Sequence, residues 1–183
     1  SKRKAEEYIL SKLSDAEQKG KKVYILRPCM IHGPGNKGNL NLLYQVVSKG
    51  VPWPLGAYDN KRSFCSIDNM SYVIEQLILR KDIASGIYQV GDDEPLSTNK
   101  LIKFVSASVE RKAVIWNLPQ GLMYRAVCVL GFFHLPLNKE RLKKLTENFV
   151  VSNQKIKSAL GVDKMPFKAE EGMKKTLESF KKK

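Results

Sequence analysis

Two short apolar runs constrain the fold more than any other feature of this sequence. They are Val23–Leu26 and Gly86–Gly91, and the first follows an amphipathic helical pattern that ends near Gly20. The apolar positions of that pattern recur at steps of three and four residues, at Ala5, Tyr8, Ile9, Leu13 and Ala16. Runs of this length are typical of strands covered on both faces, as in a parallel sheet. A helix, a short connection and a buried strand make half of an α/β repeat, so the sequence predicts the α/β class.

Further elements are predicted from proline positions and capping residues. Two prolines make Val51–Leu55 extended, and Arg62–Ile67 is predicted to be a strand followed by a helix that Asp68 caps. Ser97 or Thr98 is expected to cap a helix that runs to about Lys112. The remaining predicted elements are an extended segment at 114–116 and helices at 39–49, 121–133, 140–147, 153–160 and 169–180.

The charge balance indicates an anionic partner. Lys and Arg number 32 against 18 Asp and Glu, a formal net charge of +14. Charge alone does not separate nucleic acid, acidic lipid and phosphorylated small molecules. The three cysteines are widely spaced and there are two histidines. This excludes a disulfide framework and a zinc finger, and we expect no metal site.

The most apolar segment of the chain is Ala126–Leu137. It has about a dozen residues, short of the roughly 20 that span a bilayer, and it contains Gly131 and Pro136. We interpret it as a core helix, with a membrane-surface segment and a subunit interface as alternatives. The first residues lack a signal-peptide pattern. We therefore predict no membrane span and a cytoplasmic location.

Several groups of residues occur in a fixed order along the chain. They are Ser1-Lys2 with Lys4-Ala5-Glu6, then Leu26-Arg27-Pro28 with Ile31-His32-Gly33-Pro34-Gly35, then Pro54-Leu55-Gly56, Asn60-Lys61-Arg62-Ser63-Phe64, Ile67-Asp68-Asn69 and finally Gly86–Asp92. This order resembles the C-terminal half of the extended short-chain dehydrogenase/reductases. These are the NAD-dependent nucleotide-sugar epimerases, dehydratases and 4-ketoreductases. The resemblance covers nearly the whole chain. It implies the C-terminal part of a Rossmann-type fold with a smaller, substrate-binding α/β subdomain.

The resemblance also implies a division into domains. Residues 1–32 would be the last helix and strand of the Rossmann domain. Residues 33–183 would be mainly the nucleotide-sugar-binding subdomain, with 68–91 returning to the Rossmann sheet. A chain that begins on the first turn of a helix is typical of a fragment, and we expect the NAD-binding half to be missing. In the full-length enzyme we expect a homodimer packed through two helices per subunit, one of them Lys2–Gln18.

In this family a Tyr-x-x-x-Lys pair does the chemistry, and Lys2 matches the lysine. Its tyrosine would lie two residues before Ser1. A lysine four residues after a tyrosine shares its helical face, favours the phenolate and can hydrogen-bond the nicotinamide ribose. The resemblance further implies that Pro28, Cys29 and Ile31 touch the nicotinamide end of NAD or NADP. Without the resemblance, Lys2 would be a solvated terminal lysine.

The family's cofactor fingerprint, Gly-x-x-Gly-x-x-Gly after the first strand, is not in this sequence. Gly33-Pro34-Gly35 does not replace it, because Pro34 lacks an amide donor. We therefore expect that this chain alone neither binds NAD or NADP tightly nor turns over substrate.

The remaining matches concern the nucleotide-sugar substrate. Asn39 and Leu40 open the helix behind the glycine-rich loop and match positions near the uracil and the diphosphate, and a helix N-terminus favours anions. Asn39 could instead be a plain N-cap. Arg62 matches the arginine that grips the diphosphate with two hydrogen bonds, a geometry that lysine cannot reproduce. An ordinary surface arginine is the alternative.

Apolar residues complete the implied substrate site. Trp53 and Leu55 match the strand against which the base packs, with plain core as the alternative. Phe64 lies on the same strand face as Arg62 and could flank the pocket. His32 stands where the family has an aromatic ring, and we interpret it as a packing residue rather than a base.

The resemblance favours a UDP-glucose 4-epimerase-like enzyme acting on a UDP- or dTDP-hexose. Met30 stands where the family often has asparagine, which keeps a 4-ketoreductase or a dehydratase as the alternative. A basic nucleic-acid-binding module is the alternative from another class. It rests on charge alone, because the lysines are scattered and no stacking or recognition-helix motif occurs. A membrane-surface module built on Ala126–Leu137 is a third. We expect a nucleotide-sugar substrate and no nucleic-acid partner.

Overall fold

The computed structural model describes residues 2–123 and 139–181. In that part of the chain the helices are α1 (Lys2–Ser11), α2 (Leu13–Gln18), α3 (Asn39–Ser48), α4 (Ile67–Leu79), α5 (Thr98–Ser108), α6 (Lys139–Thr146), α7 (Gln154–Leu160) and α8 (Ala169–Lys181). The strands are β1 (Tyr24–Pro28), β2 (Met30–His32), β3 (Phe64–Ser66) and β4 (Gly86–Val90). Strand β1 pairs with β4 and β2 pairs with β3, both in parallel. The predicted α/β class is confirmed.

The β1–β4 pair is built from the two apolar runs. Its register sets Tyr24 opposite Gly86 and Pro28 opposite Val90. The Gly86 N–H extends the ladder by donating to the Val23 carbonyl at 3.0 Å. Leu26 and Val90 therefore lie in neighbouring parallel strands. Within the described residues β1 has no strand on its other side, so that edge carries unpaired backbone groups.

The β2–β3 pair lies beyond the carboxyl ends of β1 and β4. Strand β2 follows β1 after a break at Cys29, whose N–H still donates to the Val90 carbonyl at 3.0 Å. On the other side, the Asp92 N–H donates to the Phe64 carbonyl at 2.7 Å. These two bonds tie the strand pairs together, so residues after β1 and after β4 meet in one region.

Two clusters of buried apolar side chains hold the elements together. One joins α3, α5 and α8 to β3 and to the extended segment around Trp53. The other packs α4 and α7 against β4, and its members are Cys65, Val73, Leu77, Ile83, Tyr88, Val90, Ile156, Leu160 and Met165. Burial of this kind contributes about 25 cal/mol per Å² of apolar surface removed from water.

The single helix predicted for Lys2–Gln18 is wrong in one respect, because the structure divides it at Lys12. The Ser11 hydroxyl donates to the Tyr8 carbonyl at 2.7 Å, and that carbonyl is the one Lys12 would use in a continuous α-helix. The Lys12 N–H donates to the Ile9 carbonyl instead, at 3.1 Å. Neither α1 nor α2 has a buried residue, so no packing opposes the break.

The capping predictions are partly right. Asp68 does not cap α4. The Ser66 hydroxyl does, accepting from the Asn69 N–H at 3.3 Å, and Asp68 lies in the first turn. Ser97 caps α5 by accepting from the Lys100 N–H, but α5 ends at Ser108 rather than near Lys112. Gly161 ends α7 in the left-handed conformation with φ of 65°, as its type predicts.

Two predicted features fall on residues outside the described part. The apolar segment Ala126–Leu137 lies there, as does most of the predicted helix at 121–133. Among the described residues, no helix is both long enough and apolar enough to cross a membrane. The same residues contain no group of three or more His, Cys, Asp and Glu side chains that could hold a metal ion.

Gly172 in α8 is expected to resist substitution. A Cβ added there would lie 2.7 Å from the Ser66 Cβ, so α8 could not keep its distance from β3. Alanine normally favours a helix over glycine by about 1 kcal/mol. For Gly172→Ala we expect the opposite sign, with a free energy of unfolding lower by about 1–2 kcal/mol because of overpacking.

The matched control is Gly121→Ala. Gly121 is also helical, and a Cβ there would meet nothing within 4 Å. The free energy of unfolding of the Gly121→Ala variant should stay unchanged or rise by up to about 1 kcal/mol. Urea unfolding of the two variants measures both changes. Equal shifts of the same sign would contradict the close contact between α8 and β3.

Candidate functional site

Helix α1 meets the carboxyl end of β1 through an ion pair. The Arg27 guanidinium on β1 donates to the Glu6 carboxylate on α1, with 3.1 Å from Nε to Oε2. Lys2 is exposed and precedes Glu6 by one helical turn on the same face. Lys2 therefore lies within one turn of the contact that brings α1 to the end of β1.

The other residues assigned to the cofactor follow β1 directly. Pro28 and Ile31 are exposed, and Cys29 between them is half-buried. Burial raises the pKa of the Cys29 thiol, and the charge of Asp92 raises it further. A thiol with a raised pKa stays neutral, so Cys29 is a packing and contact residue rather than a nucleophile. Ligands of open α/β sheets bind beyond the carboxyl ends of the strands, where this segment lies.

These residues fit one end of NAD. Ile31, with 41% of its surface exposed, and Pro28 offer apolar contact at the strand end, and Lys2 offers an ammonium donor. A glycine-rich turn that could cradle the pyrophosphate is not part of this sequence. The donor set therefore suits the nicotinamide ribose and ring, and not the phosphates.

The glycine-rich loop leads into the N-terminus of α3. Asn36 shapes it: its side chain accepts from the Gly38 N–H at 2.7 Å and donates to the Ile31 carbonyl at 3.1 Å. Gly38 is the N-cap and makes no side-chain cap, so the interpretation of Asn39 as an N-cap is wrong. Asn39 is exposed in the first turn, and Leu40 behind it is buried. The first N–H groups of such a helix have no partner within the helix and can receive an anion.

The apolar residues assigned to the substrate lie together in one core cluster. Trp53, Leu55 and Phe64 are 9%, 4% and 2% exposed, and Leu40 belongs to the same cluster. This is the packing expected of core residues, which was the alternative for Trp53 and Leu55. Among the residues that the structure describes, the buried Trp53 indole N–H has no hydrogen-bond partner, an arrangement that normally costs stability.

Arg62 lies two residues before Phe64 in extended backbone. Its N–H donates to the Leu96 carbonyl at 3.0 Å, and its carbonyl accepts from the Leu96 N–H at 2.9 Å. The residue is partly exposed. The pairing with Leu96 fixes the Arg62 backbone. The Cα of Arg62, and therefore the root of its side chain, is held at the edge of the core that contains Leu40 and Trp53.

An open groove of about 360 Å³ lies between β1 and α4. The residues that line it are Lys22, Tyr24, Leu26, Ile74, Leu77 and Ile78. None of the residues assigned to cofactor or substrate is among them. Ile78 in the wall of this groove is 75% exposed.

A buried polar network was missed by the sequence reasoning. The Asp92 carboxylate accepts from the Ser66 N–H, the Ser66 hydroxyl and the Asn69 amide. His32 lies beside this network, with Nε2 3.6 Å from Asp92 Oδ2, and its burial (1% exposed) agrees with its interpretation as a packing residue. The signal available in the sequence was an acidic residue directly after the strand at Gly86–Val90, where a carboxylate is seldom left without donors.

Comparison with known proteins places this geometry in a class. No protein-family profile matches the sequence. The chain is 30% identical over 181 residues to UDP-glucose 4-epimerase of Vibrio cholerae, covering 98% of this chain and 52% of that protein. Its fold is similar to UDP-glucose 4-epimerase of Thermus thermophilus solved with NAD, with a TM-score of 0.62, 19% identity, and coverage of 96% of this chain and 51% of that one. It is also similar to UDP-glucose 4-epimerase of Thermotoga maritima solved with UDP-glucose, with a TM-score of 0.57, 18% identity, and coverage of 91% and 48%.

The fold is therefore that of the Rossmann-type NAD-dependent epimerases and dehydratases. The homologues and structural neighbours of this chain are UDP-glucose 4-epimerase and related enzymes of that class. The resemblance drawn from the ordered motifs is confirmed. The chain spans about half the length of the relatives it matches.

Proposed function

We propose that this chain is the substrate-binding half of a UDP-glucose 4-epimerase-like enzyme acting on a UDP- or dTDP-hexose. The observation that carries the proposal is the sequence match to an epimerase over 98% of the chain. The chemistry that bound NAD would supply is reversible hydride transfer at a sugar carbon. The residues of this chain bind the nucleotide sugar and complete one end of the cofactor site, and the chain alone does not turn over substrate.

The proposed division of the chain into two domains is based on the pairing of its strands. Residues 1–32 belong to the Rossmann domain and residues 33–183 mainly to the substrate subdomain, with 68–91 returning to the Rossmann sheet. The parallel pairing of β1 with β4 supports this return. The unpaired edge of β1 and the apolar groove beside α4 suit further sheet and helix from the same domain.

Each assigned residue has a proposed role. Lys2 holds the catalytic tyrosine in its phenolate form and hydrogen-bonds the nicotinamide ribose, and Pro28, Cys29 and Ile31 contact the nicotinamide end. Arg62 binds the diphosphate. The α3 N-terminus at Asn39 and Leu40 favours the same charge, and three core residues form the wall behind the base: Trp53, Leu55 and Phe64.

We also expect α1 to serve in a homodimer of the full-length enzyme. Tyr8, Ile9 and Leu10 on α1 are 67%, 40% and 37% exposed, and Tyr8 and Ile9 belong to the apolar pattern of this helix, which is costly to leave in water. The second helix of the expected bundle is not among the described residues.

The test is product analysis with the full-length protein. It is incubated with NAD and UDP-glucose, and the sugar is followed by NMR. We expect the C4-inverted UDP-hexose without net accumulation of reduced cofactor. Failure to turn over any UDP- or dTDP-hexose would contradict the proposal.

A 4-ketoreductase is the second candidate. The observation that favours it is Met30, which packs against the core cluster where epimerases often present an asparagine amide to the substrate. A parallel incubation with NADPH and a UDP-4-ketohexose separates the two, because a reductase consumes one NADPH for each product molecule. Stoichiometric loss of the cofactor's absorbance would establish the reductase.

A further inference from the structure

Asn60 has a buried side chain, hydrogen-bonded at both ends of its amide, that the proposed function does not use. It stands two residues before Arg62 and is 2% exposed. Its amide nitrogen donates to the Thr98 hydroxyl at 2.9 Å and to the Leu145 carbonyl at 3.0 Å. Its amide oxygen accepts from the Thr98 N–H at 3.0 Å. A backbone N–H only donates and a carbonyl only accepts, so these contacts fix the orientation of the amide.

These bonds join two helices through one side chain. Thr98 is the first residue of α5, and Leu145 lies in the last turn of α6. The first N–H groups and the last carbonyls of a helix have no partner within that helix. Asn60 supplies a partner to one group of each kind. It therefore ties the start of α5 and the end of α6 to its own segment of the chain.

The same two helix ends border the segments that pair with Arg62. Leu96 lies two residues before α5, and its backbone exchanges two hydrogen bonds with Arg62, at 3.0 and 2.9 Å. Phe149 lies three residues after α6 and forms a parallel bridge with Arg62. Its N–H donates to the Lys61 carbonyl and its carbonyl accepts from the Ser63 N–H, both at 2.8 Å. The position of the Arg62 backbone therefore depends on where these helix ends are held.

We propose that Asn60 is a positioning residue for Arg62, because it fixes the backbone from which the guanidinium reaches the diphosphate of the substrate. That the guanidinium binds a diphosphate rests on the proposed function, whereas the fixing of the backbone does not. Two parallel hydrogen bonds require one orientation of the planar guanidinium, so they tolerate little displacement. Asn60 is buried and its amide is already bonded, so it acts through Arg62 rather than on the ligand.

The test compares UDP binding by Asn60→Ala and Asn69→Ala in calorimetric titrations. Asn69 is the matched control. It is 0% exposed, its amide donates to Asp92 and to the Phe167 carbonyl, and it accepts from the Phe167 N–H. We expect Asn60→Ala to weaken UDP binding by about fivefold or more, because a small misplacement of a binding group costs much of its contribution. Asn69→Ala should change the affinity by less than about twofold, since it shares no partner with Arg62.

The Arg62→Ala background separates positioning from a general loss of structure. If Asn60 acts through Arg62, adding Asn60→Ala to Arg62→Ala should change the UDP affinity by less than about a further twofold. An equal loss in the wild-type and Arg62→Ala backgrounds would overturn the proposal. An Asn60→Ala variant with the affinity of the wild type would overturn it as well.

Amide hydrogen exchange tests, without a ligand, whether Asn60 holds the Arg62 backbone. The N–H groups of Arg62 and Leu96 should exchange at least about tenfold faster in Asn60→Ala than in Asn69→Ala, because the local structure opens more easily. Equal exchange in the two variants would contradict the proposal. A wild type that binds no UDP would overturn the proposed function and with it the role of Arg62, whereas exchange would still report whether the backbone is held.

Thr98→Val is the milder variant in case Asn60→Ala does not fold. It removes the hydroxyl that accepts from Asn60, and it keeps the Thr98 N–H and the bond to Leu145. We expect the same two changes at smaller size, with a loss of UDP affinity of about two- to fivefold because one of three bonds is gone. Unchanged affinity together with unchanged exchange at Arg62 would overturn the proposal.

Discussion

Replacing Phe64 with alanine should lower the free energy of unfolding by about 3–5 kcal/mol. Phe64 is 2% exposed in the cluster that joins α3, α5 and α8, and its ring lies at 76° to the His32 ring with 6.0 Å between centroids. Truncation would leave a cavity between β3 and α8 that the close contact at Gly172 prevents from collapsing. The size of this loss in the free energy of unfolding shows whether the Phe64 side chain belongs to the core or forms the wall of a pocket.

Equilibrium unfolding in urea measures this change. The control is Phe167→Ala, because Phe167 is 42% exposed and should cost no more than about 1 kcal/mol. If Phe64→Ala lost no more stability than Phe167→Ala, the packing of β3 described above would be wrong. A variant that unfolds completely agrees with the expected size, and Phe64→Leu then gives a measurable intermediate.

Replacing Arg62 with alanine should weaken UDP binding by about 10- to 150-fold. A charge-assisted hydrogen bond contributes about 1.5–3 kcal/mol, and two parallel bonds to a diphosphate place Arg62 within that range. Arg62→Lys should recover little, because an ammonium cannot form both bonds. The backbone of Arg62 pairs with Leu96 in every variant, so the fold is expected to persist.

Calorimetric titration with UDP measures the effect. Lys61→Ala is the matched control, since it removes one positive charge from the adjacent, exposed position. We expect it to change the affinity less than about threefold, because surface charges contribute little. Equal affinities of wild type and Arg62→Ala would remove Arg62 from the site.

Strands and helix ends whose position depends on a short stretch of sequence were predicted well. The strands predicted at Val23–Leu26 and Gly86–Gly91 are found at Tyr24–Pro28 and Gly86–Val90, but the expected cover on both faces is wrong for β1, none of whose residues is buried among the described residues. The end of α7 at Gly161 follows from one residue type. The break at Lys12 could not be predicted, because it depends on which carbonyl the Ser11 hydroxyl takes.

The residues of the candidate site were selected from the sequence and their roles stay predictions, whereas their geometry depends on packing that the sequence does not encode. Residue types and order selected Arg62 and Asn39, yet whether Phe64 faces a ligand or the core depends on packing. The His32–Asp92 pair depends on contacts far apart in the chain. His32 reaches Thr176 across 144 positions, and no periodicity in the sequence encodes such a contact.

The central claim is that this chain binds nucleotide sugars with its positive charge focused on a diphosphate. Titration of the same preparation with UDP and with a short DNA duplex, each at two salt concentrations, tests it most directly. We predict saturable one-to-one binding of UDP and no duplex binding near physiological salt. Tight duplex binding that weakens steeply with salt, with no heat from UDP, would contradict the claim and favour a nucleic-acid-binding module.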